Sequence, residues 1–142
     1  MKKLIWLLVF VLCLSACGYT ADLSDLDART PVTRELPETP DGIWMELVDA
    51  EENGCKIRYT NRTAQEWIYG EYFRVEVLLE DTWYHVPVRT DKDVDYTFTA
   101  MGYVVAPEES REQFCSFDMY GTLPAGQYRI VTDYGWAEFM IP

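Results

Sequence analysis

Phe73-Arg74-Val75-Glu76-Val77-Leu78-Leu79-Glu80 sets apolar Phe73, Val75, Val77 and Leu79 against polar Arg74, Glu76 and Glu80 with a period of two. Successive strand side chains point to opposite faces, so this stretch reads as a strand with one face in a core. Upstream, Ile43, Met45 and Leu47 alternate with Trp44, Glu46 and Val48, and Cys55, Ile57 and Tyr59 with Lys56, Arg58 and Thr60. Glu51-Glu52-Asn53-Gly54 between them has turn chemistry suited to positive φ, which predicts a hairpin. Residues 61–66 read as a polar connection. Downstream, Asp81-Thr82 turns the chain into a strand from Trp83 to Val88, where Pro87 cannot donate to a ladder and implies an edge or a bulge. Residues 94–105, 111–117, 127–132 and 136–141 supply four more strands. Eight short strands without a long helix predict an all-β sandwich or barrel.

The N-terminus is different in kind. Lys2 and Lys3 precede an apolar run over residues 4–14, and Ser15 and Ala16 lead into Cys17. As a helix that run spans about 16 Å at ~1.5 Å per residue, roughly half of a ~30 Å hydrocarbon core, so it reads as a secretion signal rather than a membrane span. Leu14-Ser15-Ala16-Cys17 resembles the lipobox of bacterial lipoproteins. The resemblance implies that residues 1–16 are removed and that Cys17 becomes a lipidated N-terminus on the extracytoplasmic face of the bacterial cell membrane. Two or three acyl chains anchor stably where one binds only marginally.

Removing Lys2 and Lys3 and no acids takes the net charge from −12 to −14. That balance excludes nucleic acid as a partner, since phosphate binding depends on clustered Lys and Arg. It fits a charged, soluble surface, with a cationic partner as the sharper alternative. Residues 18–41, GYTADLSDLDARTPVTRELPETPD, carry three prolines, many acids and no sustained apolar period, so residues 17–41 read as lipidated N-terminus and flexible tether. A free coil of that length would average about 27 Å end to end and reach about 74 Å when extended. Residues 42–142 form the expected domain.

Near the C-terminus stands Tyr120-Gly121-Thr122-Leu123-Pro124-Ala125-Gly126-Gln127-Tyr128-Arg129-Ile130, with Tyr69-Gly70-Glu71-Tyr72 and Thr82-Trp83-Tyr84-His85-Val86-Pro87 upstream. In order and spacing these resemble the YG-x-L-x-x-G-x-YRI, YG-x-x-Y and W-x-x-VP elements of a bacterial immunoglobulin-like domain family of Gram-positive surface proteins and lipoproteins. The match spans residues 42–134. It implies an antiparallel β-sandwich of seven to eight strands and a non-catalytic role, in which an envelope partner or assembly is bound without a cofactor. Residues 123–128 also have the layout of a tyrosine corner, a turn followed by a strand tyrosine whose hydroxyl bonds backbone upstream.

Antibody-type domains place their second core cysteine two residues after the corner tyrosine, where this chain has Ile130. In that topology Cys115 falls on the preceding strand, beside the strand of Cys55 in the same sheet. The two form a disulfide, which an oxidising compartment permits, or remain buried thiols.

His85 is the only histidine, with no adjacent serine and no nucleophile elbow, so hydrolase chemistry has no base where it needs one. Zinc would need clustered Cys and His. Asp91, Asp93 and Asp95 alternate as calcium ligands do, but the EF-hand glycine and glutamate positions hold Tyr96 and Gly102. Trp67, Tyr69, Tyr72 and Trp83 cluster in sequence. Exposed, they would stack on sugars or anchor a protein interface; buried, they would fill a small core. The expected partner is an unknown protein, with a carbohydrate or cell-wall polymer as the alternative. Asn61-Arg62-Thr63 matches a glycosylation acceptor but reads as a polar turn.

Overall fold

The computed structural model describes residues 18–24, 30–90 and 95–142. The expected signal peptide, the anchor Cys17 and most of the acidic 91–95 run lie outside the described residues. Nine strands follow one another: β1 (Ile43–Glu51), β2 (Gly54–Asn61), β3 (Trp67–Gly70), β4 (Phe73–Leu79), β5 (Thr82–His85), β6 (Gly102–Val105), β7 (Ser110–Ser116), β8 (Gly126–Thr132) and β9 (Gly135–Ile141). They form a three-stranded sheet in the order β1-β2-β7, a four-stranded sheet β5-β4-β8-β9 and a ribbon β3-β6, with antiparallel pairing throughout. The architecture is an all-β, Ig-like sandwich. Among the described residues there are nine strands rather than the expected seven to eight, because Trp67–Gly70 pairs with Gly102–Val105.

The alternation read from sequence builds the core. Cys55, Ile57, Tyr59 and Cys115 from one sheet face Phe73, Val75, Val77, Tyr128, Ile130 and Phe139 from the other, all buried. Buried tyrosines need partners for their hydroxyls. Tyr59 donates to Thr132 Oγ1 at 2.8 Å, Tyr120 accepts from the Val75 amide at 3.2 Å, and Tyr128 donates to the Pro124 carbonyl at 2.6 Å. That last bond is the tyrosine corner.

Two expected turns behave differently from each other. The β1–β2 hairpin closes with Glu51 opposite Gly54, but neither Asn53 nor Gly54 has positive φ. Gly54 is required instead by close approach: a Cβ there would lie 2.6 Å from the Phe114 ring and 2.8 Å from the Cys115 carbonyl oxygen. A positive-φ pair occurs at Glu80 and Asp81, φ 49° and 66°, where the two-residue β4–β5 turn matches the twist of its strands. Beyond that turn β5 is an edge strand ending at His85, which accounts for Pro87.

Residues 18–24 and 30–41 are not the free tether expected. Ala21 is buried in the core, its amide bonds Thr122 O at 2.9 Å, and Thr122 N bonds Tyr19 O at 2.8 Å. Gly121, at φ +86°, lets this happen, since a Cβ would sit 2.4 Å from the Tyr19 ring. Further on, Val32 N bonds Trp83 O at 2.9 Å and Thr39 lies against Gly135. Because β5 and β9 are opposite edges of the four-stranded sheet, the strap is held at both. Its acids and prolines hid these anchors, because the docking rests on backbone bonds and on a few residues as small as Ala21.

Asn61 is fully buried. Its Nδ2 donates to Gln65 O at 2.7 Å and Val105 O at 2.9 Å, while its Oδ1 accepts from Thr63 N at 2.9 Å and Thr63 Oγ1 at 2.7 Å. The Asn-Arg-Thr element is thus a turn whose buried Asn61 ties β2 to β6 while Arg62 is exposed. Asn61→Ala removes the side-chain partner of Val105 O and of Thr63 N, while Thr63 Oγ1 and Gln65 O keep their own 2.9 Å bond; the loss is expected to cost roughly 2–4 kcal/mol, at 1–3 kcal/mol for each orphaned group partly relieved by water, and a shifted urea midpoint measures it.

Candidate interaction site

Residues from β3, β6 and β7 meet where the sandwich edge opens. Tyr69, Glu71, Phe98, Tyr103, Arg111 and Gln113 line a groove of about 400 Å³. Opposed pairing of Tyr69 with Tyr103 puts both on the inner face of the ribbon, rings 5.6 Å apart. Arg111 lays its guanidinium 4.7 Å from the Tyr103 ring centre and bonds Val104 O at 3.3 Å. Glu71 accepts from the Tyr103 hydroxyl, from Thr99 Oγ1 at 2.7 Å and from Thr99 N at 3.3 Å. Gln113 Nε2 donates to Glu71 O at 3.1 Å, which leaves Gln113 Oε1 buried and unpartnered.

The hydrogen bonds from Tyr103 and Thr99 hold the Glu71 carboxyl below its ordinary value of 4.5, and the same Glu71 bond raises the Tyr103 phenol. A depressed carboxyl stabilises above its unfolded pKa and loses that contribution as pH falls through the folded one. The Glu71–Thr99 clamp is therefore expected to open below about pH 4.5, seen as faster Thr99 amide exchange, with Glu71→Gln abolishing the pH dependence.

The outer face of the same ribbon is apolar and open. Ile68 and Val104 are cross-strand partners, 56% and 42% exposed, and Met101, which precedes the first residue of β6, is 56% exposed. Scattered apolar residues are ordinary on a surface; neighbours beside a groove form a contact face.

Of the four aromatics singled out in the sequence, Trp67 and Tyr69 are brought together and Tyr72 and Trp83 are not among their ring contacts. Trp67 packs on Tyr59, Tyr69 and Tyr134, and Tyr69 is itself 1% exposed. Tyr72 meets Phe98 edge-on. Trp83 lies on the far face of the four-stranded sheet under Arg129, 4.2 Å from the guanidinium carbon. Of the four, only Tyr69 lines the groove. Cys55 and Cys115 are opposite each other in the β2–β7 register, both thiols and both buried. Hydrogen bonding to Cys115 and burial push the Cys55 thiol far up. His85 stands across from Glu76. Among the described residues no group of three or more His, Cys, Asp or Glu could hold a metal ion.

A family model described as bacterial Ig-like domain matches residues 40–140, well over half of the chain. The chain belongs to the bacterial Ig-like domain family. No curated protein and no solved structure matches it. Domains of this family are typically non-catalytic surface and interaction modules. Within this Ig-like domain the shared elements are structural: Tyr128 forms the corner, Trp83 covers Arg129, and Val86 and Tyr69 are core. Tyr69 and Glu71 of these elements line the groove, and Glu71 places its carboxylate there. Tyr103, Arg111 and Gln113 carried no local signal, since they converge only once β3, β6 and β7 are in place.

Proposed function

We propose that this is a membrane-anchored extracytoplasmic lipoprotein whose Ig-like domain binds a protein partner, or supports an envelope assembly, through the β3–β6 ribbon and its groove. The observation that carries this is the juxtaposition of an exposed apolar ribbon with a groove lined by an arginine, a carboxylate and two tyrosines. Apolar contact with a polar rim is the anatomy of protein interfaces. The sugar-platform alternative has less support, because Trp67 and Tyr69 pack on each other and on Tyr59, while Trp83 packs elsewhere, against Arg129.

The strap changes how such an anchor would act. With lipid on Cys17, only Gly18 separates the anchor from Tyr19, whose carbonyl is already bonded to the domain. At ~3.5 Å per residue the domain would sit against the bilayer rather than roam on a ~27 Å coil. A photo-crosslinking residue at Ile68, compared with one at exposed Glu138 on β9, tests the assignment in intact cells. A defined protein captured from Ile68 and not from Glu138 supports it; equal or absent capture at both positions removes the ribbon as the interface.

A further inference from the structure

A second cavity, of about 520 Å³, lies between the strap and the start of β4, and like the groove it is bordered by Phe73 and Phe98. The ionisable side chains that line it, tyrosines aside, are Arg34, Arg74 and His85; among the described residues no Asp or Glu reaches it. That is unexpected in a chain with 24 acids against 12 Lys and Arg. The positive character is built in. Glu76, fully buried, is shared by Arg74 at 2.8 Å and by Arg129, so this trio carries a net positive charge. Glu76 bonds Arg74 through Nε, and Arg74 Nη2 is buried without a partner. Arg34 reaches the cavity from the strap, so the site exists only because the strap is docked. Apolar walls come from Phe98, Val86 and Met119.

We infer that this cavity is a binding site for a small amphipathic carboxylate, its anionic end held by Arg34 and Arg74 and its apolar body against Phe98, Val86 and Met119. Guanidinium groups match carboxylates in fork geometry, and a volume of this size suits a small ligand with one charged end. The site adjoins the partner-binding groove, with which it shares Phe73 and Phe98, but its two arginines, Arg34 and Arg74, lie outside that groove.

Titration of the mature chain with hydrocinnamate, its neutral amide and inorganic phosphate, followed by His85 ring resonances and by calorimetry, tests this. Arg34 is exposed, so Arg34→Ala should fold normally, and an unchanged melting temperature without ligand verifies it. Hydrocinnamate should bind and move the His85 signals, the amide should not, and Arg34→Ala should weaken binding by about tenfold or more, the worth of a charge-assisted hydrogen bond. Absence of hydrocinnamate binding, binding of the amide equal to the acid, phosphate binding tighter than hydrocinnamate, or an affinity untouched by Arg34→Ala would each overturn the assignment.

Discussion

Glu76→Ala is expected to destabilise the domain by ~3–5 kcal/mol, the scale measured when one partner of a buried ion pair is removed. Glu76 is 0% exposed on the face of β4 that alternation assigns to solvent. Arg74 and Arg129 flank it from within its own strand and from β8, and Trp83 covers Arg129. Removing the carboxylate leaves two guanidinium groups facing each other with little water to separate them. The comparison that isolates the cause is replacement of all three by apolar residues of similar volume. Buried triads of this kind exchange for hydrophobic packing with little or no loss, so the triple variant should recover most of the stability that Glu76→Ala loses. Urea midpoints of the two variants measure this; a single variant within about 1 kcal/mol of the parent would mean that solvent reaches the triad.

Oxidation of Cys55 and Cys115 to a disulfide is expected to add about 4 kcal/mol, the chain-entropy value for closing a loop of roughly 60 residues, less any strain. Phe117 N to Asn53 O and Asn61 N to Glu109 O set the hydrogen-bonding phase of β2–β7, and Cys55 and Cys115 share it. Opposed residues in that phase have Cα atoms ~5.5 Å apart, inside the span of a disulfide. The raised thiol of Cys55 makes thiolate scarce in the folded state, so exchange with a disulfide donor should occur on the unfolded or partly folded chain. Oxidised glutathione would accept the two electrons as the thiols lose their protons. Refolding with and without it, followed by alkylation in urea and comparison of unfolding midpoints, reads out both the bond and its worth. If the two thiols stay open to alkylation after oxidative refolding, this pair is simply core.

The parts of the fold legible in the sequence were those where one strand reports its own environment. The strands of the β1–β2 hairpin and β4 follow from alternation, and the corner at Tyr128 from its turn and strand tyrosine, whereas the positive φ expected at the β1–β2 turn is absent. Of the strand expected over 94–105, residues 95–101 are not in a strand and residue 94 lies outside the described residues. The Thr99 amide and hydroxyl both go to the Glu71 side chain, so pairing is confined to Gly102–Val105. Trp67–Gly70 was missed for a related reason: its four residues include an exposed Ile68 and a glycine, which is too little to show a period. The strap was hidden by composition. Charge and proline content describe whether a segment can form a core of its own, not whether an existing core offers it a place to dock. The groove could not be seen at all before folding, as its residues are spread from position 69 to position 114.

The central claim is a lipid-anchored module, and the mass of the mature chain isolated from cell membranes tests it most directly. The account predicts an N-terminus at Cys17 carrying a diacylglycerol, retention of the protein in the membrane fraction, and its transfer to the soluble fraction in Cys17→Ala. A mature chain that begins elsewhere, or one without lipid that fractionates as soluble protein, would contradict it.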